Sequence, residues 1–205
     1  MKRRYKRDFS IKQLKALLNN VGIKKKEVDK NLSFISFVEE NFDRDYTMTY
    51  DLCCGKGVVG TYFSLNRNPV TAIDNNGNNK RNQLIKRLDE RFYSFLNQDI
   101  YSSTDLQSNS LVLSLHACGN LTDRVIELAL RSNSDFAVMS CCHGDRQYFT
   151  PVNMPDESLV DKLGRDHYMD LVRLNYIAEK GYNTGIFEVP EELTPKNRII
   201  WGKRN

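Results

Sequence analysis

Apolar positions along the chain follow two different rhythms. Between residues 9 and 40, Phe9, Leu14, Leu17 and Leu18 recur at the spacing of one helix face, and Leu32, Ile35, Phe37 and Val38 begin a second such set. That stretch predicts a small helical segment. From Tyr46 onward the pattern turns to short apolar runs set between turn residues and amphipathic stretches. Strands are expected at Thr47 to Leu52, Val70 to Asp74, Phe92 to Asn97, Leu111 to Leu115 and Phe136 to Ser140, with helices between them. Alternation of this kind builds an α/β fold, a parallel sheet covered by helices on both faces. A loop from His143 to Asp156 holding Pro151 and Pro155 comes next, followed by one long amphipathic helix from about Ser158 to Lys180 that Gly181 closes. Tyr182 to Val189 and Arg198 to Trp201 then read as two strands joined by a connection short enough for an antiparallel return. The expected organisation is a basic helical extension over residues 1–43 and a second unit over residues 44–205.

Composition narrows the class. The 205 residues, 40% apolar and 27% charged, suffice for one substantial core. The most apolar runs, such as Leu111 to Leu115, are far shorter than the roughly 20 residues a membrane helix needs. The basic opening is not followed by the apolar segment and small-residue cleavage site of a signal peptide. A cytoplasmic location without membrane contact is expected. The five cysteines form two adjacent pairs, Cys53-Cys54 and Cys141-Cys142, plus Cys118, which is not the spacing of a disulfide framework, so reduced thiols are expected. Residues 1 to 30 hold eleven Lys or Arg against three acids, while the remainder holds nineteen against twenty-three. A basic arm on an acidic body suits a polyanion such as RNA, and a solvated face that only confers solubility would look the same. Further basic residues stand in Lys80 to Arg87 and at Lys196 and Arg198, and Tyr148 and Phe149 could either stack on a base or pin their loop to the core.

The chemistry is concentrated in two places. Gly55-x-Gly57-x-x-Gly60 follows a predicted strand and opens a predicted helix, the context in which a glycine-rich loop lets backbone approach a ligand closely. Asp74 ends the next predicted strand, where a carboxylate can hold a ribose diol, an arrangement shared by NAD and S-adenosylmethionine sites. Asp51 separates the two: Asp51-Leu-Cys-Cys-Gly-Lys-Gly57 resembles the Asp-x-Gly-Cys-Gly-x-Gly loop of class I S-adenosylmethionine-dependent methyltransferases, with Cys53 where that family usually has Gly. The resemblance implies a Rossmann-like sheet of seven strands, mostly parallel with an antiparallel last strand, and S-adenosyl-L-methionine as cofactor. It implies cofactor contacts from Asp51, Cys53, Gly55, Gly57, Gly60, Asp74, Asn75 and His116, with Asp99 and Ile100 at the adenine.

After the fourth strand the chain reads His116-Ala-Cys118-Gly-Asn-Leu-Thr-Asp123, and after the fifth Cys141-Cys142-His143. Together these resemble a methyltransferase branch that includes the eukaryotic tRNA acceptor-stem 2′-O-methyltransferases, although Gly144 stands where those enzymes carry a second histidine. Transfer to RNA, with a tRNA 2′-hydroxyl as acceptor and the basic arm as RNA contact, is what this implies. His116, Asp123 and His143 are candidates for moving the acceptor's proton, while Asp123 could equally begin a helix. Cys118 and Cys142 stand where a two-thiol cytosine-C5 mechanism would place its cysteines, with His-Ala-Cys replacing the Asp-x-Pro-Cys of that chemistry. A metal set of His116, Cys118, Cys142 and His143 lacks the tight spacing of zinc sites, and no metal is expected. A small-molecule or protein methyltransferase, an NAD-binding oxidoreductase and a non-catalytic cofactor-binding module are the rival functions.

Overall fold

The computed structural model describes residues 9–102, 104–143 and 149–205. Seven strands form one sheet in the order β3-β2-β1-β4-β5-β7-β6. Five of them, β1 (Thr49–Leu52), β2 (Val70–Asp74), β3 (Tyr93–Asn97), β4 (Leu111–Ala117) and β5 (Asp135–Ser140), pair in parallel. The last strand, β7 (Arg198–Arg204), inserts antiparallel between β5 and β6 (Tyr182–Glu188). This is the sheet that the resemblance implied. Strands β1 and β5 are buried at every residue, the polar Thr49, Asp51, Asp135 and Ser140 included.

Alternate residues of the central strands feed two apolar clusters, one for each face. Leu113, Ala137, Met139 and Ile199 join α1 (Ile11–Asn20), α2 (Lys25–Asn41) and α3 (Val58–Leu65). Val112, Phe136, Val138 and Ile200 join α5 (Asn120–Arg131) and the last helix of the chain. Leu14, Leu18, Phe34, Ile35 and Val38 lie in the first cluster, so the helical segment completes one face of the sheet. A capping box between Ser10 and Gln13 starts α1. Two lysines hold the segment down: Lys80 Nζ donates to the Val21 carbonyl at 2.6 Å, and Lys56 Nζ pairs with Glu27 at 2.6 Å. Among the described residues no helix is long and apolar enough to cross a membrane.

The single helix expected between Ser158 and Lys180 is two, α6 (Leu159–Leu163) and α7 (Arg165–Glu179). Gly164, at φ 79 and ψ 155, takes a backbone conformation closed to a helix and open to glycine, and it redirects the chain. The remaining helix, α4 (Asn79–Ile85), starts on the Asn78 side chain, which accepts from the Lys80 and Arg81 N–H groups.

A second glycine is demanded by packing. In the β5–β7 ladder Gly202 lies directly opposite Phe136, and a Cβ there would overlap the Phe136 ring. Gly202→Ala is therefore expected to destabilise the fold by about 1–3 kcal/mol, the usual range for overpacking a core. Combining it with Phe136→Leu should recover part of that loss in urea denaturation, whereas an additive double variant would show that the ring is not the obstacle.

Candidate functional site

The carboxyl ends of the parallel strands carry nearly every residue singled out from the sequence, the edge at which open α/β sheets hold ligands. The first loop leaves β1 through three left-handed residues: Cys53 at φ 54, Gly55 at φ 51 and Gly57 at φ 68. Cys53 thus holds a conformation that favours glycine and costs an L-residue roughly 1–2 kcal/mol, which accounts for the glycine usual at this place in the related loops. Gly57 is required by space as well, since a Cβ would lie 3.2 Å from Tyr93 Oη and 3.3 Å from Arg81 Cγ. Asp51, expected among the ligand contacts, stands behind the loop at 1% exposure, and its Oδ2 accepts the Gly60 N–H at 2.8 Å. Burial pushes its carboxyl up to about 7 against that hydrogen bond. Asp51 and Gly60 therefore shape the turn into α3.

Asp74 closes β2 and binds the loop directly: Oδ2 accepts from Gly55 N and Oδ1 from Asn76 N, each at 2.8 Å. A carboxylate has about four lone-pair sites, so two such bonds leave acceptor capacity for a diol. Asn75 beside it is exposed, as is Asp99 beyond the end of β3, whose Oδ1 accepts from Tyr101 N at 2.9 Å. Ile100 is turned into the second apolar cluster and offers the site only backbone.

Sequence reasoning missed what supports this loop. Arg81, read as part of a phosphate-tracking run, is 2% exposed beneath the glycines. Its Nη1 donates to the Gly55 carbonyl at 2.7 Å, its Nη2 to the Asn76 carbonyl, and its guanidinium lies 4.0 Å above the centre of the Phe95 ring. The available signal was its position on the apolar stripe of α4, three residues before the buried Leu84. Lys80, Lys196 and Arg198 are likewise engaged inside the protein, Lys196 by Asp166 and Arg198 by Asp170.

His116 occupies a bulge. The β4–β5 register shifts between Leu115 and Ala117, which leaves His116 outside the ladder at φ 67, and bulges of this sort re-aim a side chain at a sheet edge. Its Nδ1 is buried and, among the described residues, has no hydrogen-bond partner. Burial, with a smaller contribution from the Lys30 charge, pulls its pKa down to about 4, so the ring is neutral at physiological pH. Lys30 projects from α2 toward this edge, and burial lowers its own pKa as well.

The other candidates separate into two groups. Cys118 and Cys142 come together with Cys141, the three sulfurs lying within 4.8 Å of one another. Burial and hydrogen bonding among these thiols push Cys118 up to about 12. Asp123 and His143 instead enter a buried ionic network. His143 Nε2 lies 2.8 Å from Asp170 Oδ1 and its Nδ1 3.0 Å from Asp166, with the side chain 2% exposed. Arg173 bridges Asp170 at 3.1 Å and Asp123 at 2.6 Å. Burial outweighs Arg173 at Asp123 and raises it above the ordinary carboxylate range. At Asp170 burial also acts upward, but the hydrogen bonds from His143 and Arg198 prevail and hold it below that range. Phe149 is stacked on Tyr176 at 4.1 Å and buried, which settles it as a pin of its loop; Tyr148 and Gly144 lie outside the described residues.

Comparison with known proteins decides the family. A family model described as a methyltransferase domain matches residues 23–146, more than half of the chain. The chain belongs to the methyltransferase domain family. A Bos taurus glutathione S-transferase C-terminal domain-containing protein is 28% identical over 190 residues, covering 74% of this chain and 29% of that protein. The chain thus spans about a third of the length of the curated relatives it matches. Magnesium protoporphyrin IX methyltransferase from Synechocystis PCC 6803, solved with bound SAH, superposes with a TM-score of 0.53 at 12% identity over 88% of this chain and 84% of that one. An rRNA methylase from Escherichia coli gives a TM-score of 0.53 at 15% identity over 95% of this chain and 75% of that one. At such identities the likeness is one of fold.

The methyltransferase domain takes S-adenosylmethionine as cofactor, and its loop fits that molecule. A Cβ on Gly55 would meet nothing within 4 Å, so open space lies over the loop. Asp74 retains acceptor capacity for the ribose, and exposed Asp99 stands one strand further along for the base. Arg81→Met should weaken binding of S-adenosylhomocysteine about tenfold or more in calorimetry, because two loop carbonyls lose their donor and bare buried acceptors cost about 1–3 kcal/mol each. Arg81→Lys, with one donor group in place of two, should fall between; unchanged affinity in Arg81→Met would show that the loop holds its shape without the guanidinium.

Proposed function

We propose that this methyltransferase domain acts on RNA, with a tRNA 2′-hydroxyl as the acceptor and His116 as the group that takes its proton. The bulged His116 carries the reading. Its ring is neutral at physiological pH and stands on the edge where the cofactor loop opens, so its unprotonated nitrogen is able to accept a proton from a hydroxyl. When bound, the cofactor supplies an electrophilic methyl on a sulfonium. The protein's part is to hold the acceptor oxygen in line and to accept its proton as the bond forms. Asp123 and His143 act through position, since their network fixes the loop after β5 against α5 and α7.

RNA is favoured by charge. Lys24, Lys25 and Lys26 are exposed around the start of α2, and the same turn reaches the glycine loop through Glu27 and Lys56, so basic surface adjoins the site. The fold is also that of an rRNA methylase, and equally that of a tetrapyrrole-pathway enzyme, so fold alone does not choose the substrate. A Cys118 thiol held near 12 is a poor nucleophile at neutral pH, which weighs against the cytosine-C5 route.

Labelled methyl transfer to tRNA, followed by digestion to nucleosides, should yield a 2′-O-methyl nucleoside, with binding that weakens steeply as salt rises. Label confined to a small-metabolite or protein fraction would overturn the RNA reading. His116→Asn, chosen because asparagine tolerates the left-handed backbone, should lower kcat about 100-fold or more with cofactor affinity retained. The pH profile supplies an independent check. A base whose pKa is depressed to about 4 stays competent through the neutral range and fails only as pH falls through that value. Lys30→Met removes a charge that contributes to the depression, so its acidic limb should move to higher pH; an unmoved limb would sink the assignment of His116.

A further inference from the structure

We propose that Cys118, Cys141 and Cys142 bind one thiophilic divalent cation of the zinc class on the carboxyl edge between β4 and β5. The thiols come from two segments that main-chain bonds hold together. Gly119 N donates to the Cys142 carbonyl at 2.8 Å, Ala117 pairs with Ser140 in the β4–β5 ladder, and Thr122 Oγ1 donates to the Ala117 carbonyl at 2.6 Å. The sulfurs therefore converge because the backbone places them, all within 4.8 Å of one another. Zinc–sulfur bonds of about 2.3 Å in tetrahedral geometry set sulfurs roughly 3.8 Å apart, so the cluster needs to contract by about 1 Å at most.

Adjacent residues of an extended strand point their side chains to opposite sides. Cys141 and Cys142 lie just past the last residue of β5, where the chain has left the strand, and both sulfurs reach the same partner. Cys118 Sγ also donates weakly to the His116 carbonyl at 3.7 Å. A trio of sulfurs selects soft ions over magnesium or calcium. Cys118 and Cys142 are exposed, which gives a hydrated ion a path in. On binding, three thiols release three protons to solvent and the hydrated ion sheds all but one of its waters, so that a fourth position is left to that water or to a donor atom of the acceptor. His143 is not a ligand, because its ring is enclosed between Asp166 and Asp170.

The test is titration of the reduced full chain with cobalt(II), which reports thiolate ligation without reference to any methyl acceptor. One equivalent should produce sulfur-to-cobalt charge-transfer absorption and the intense visible bands of a tetrahedral site, and zinc should displace it. Cys118→Ser and Cys142→Ser should each weaken binding at least 100-fold with unchanged far-UV circular dichroism, whereas Cys54→Ser should leave the spectrum intact. Weak octahedral bands in the unaltered protein would overturn the proposal, as would zinc uptake that survives both serine variants. A disulfide joining Cys118 to Cys141 or Cys142 in protein alkylated at lysis would overturn it too, and would mark the cluster as a redox pair.

Discussion

Burying the Asp170 carboxylate commits four segments of the chain to one another. With no side-chain exposure, it accepts from His143 after β5, from Arg173 one turn along α7 and from Arg198 at the start of β7, and Arg173 carries the link on to Asp123 in α5. An uncompensated buried charge costs several kcal/mol, so none of these partners is dispensable once the acid is inside. The network lies past the carboxyl end of β5, on the side of the sheet order away from the glycine loop that follows β1. It also explains why two residues with acid–base chemistry, Asp123 and His143, are turned from solvent: both are tied into the network by Arg173 and Asp170.

Arg81 plays the matching part at the other end of the edge. A guanidinium can satisfy two carbonyls and lie flat on a ring at once, which suits a loop whose left-handed residues leave carbonyls pointing inward. His116 stands on the strand between these two supports. Its strained backbone persists because the β4–β5 ladder resumes at Ala117 and Ser140 immediately beyond it.

Much of this was legible in the sequence. The short apolar runs between turn residues located all seven strands to within a few residues, and the glycine loop announced itself by spacing. The break at Gly164 was hidden because apolar periodicity continues across it, and only the backbone angles show the interruption. The roles of Arg81, Asp170 and Arg173 were hidden for another reason: a charged residue on an apolar stripe looks like noise until its partner, dozens of residues away, is known. The convergence of Cys141 with Cys118 was hidden because it depends on the β4–β5 register, which local pattern does not encode.

The Glu27–Lys56 pair joins the first turn of α2 to the middle of the glycine loop. Both side chains are about a third exposed or less, so solvent screens the bond and it contributes no more than about 1 kcal/mol. That small figure still has a direction. Any occupant of the loop that favours the paired position of Lys56 also favours a docked α2, and by reciprocity a helix held in place by something else tightens the loop. Under that condition α2 and the glycine loop are thermodynamically linked, and whatever orders one favours the ordered form of the other.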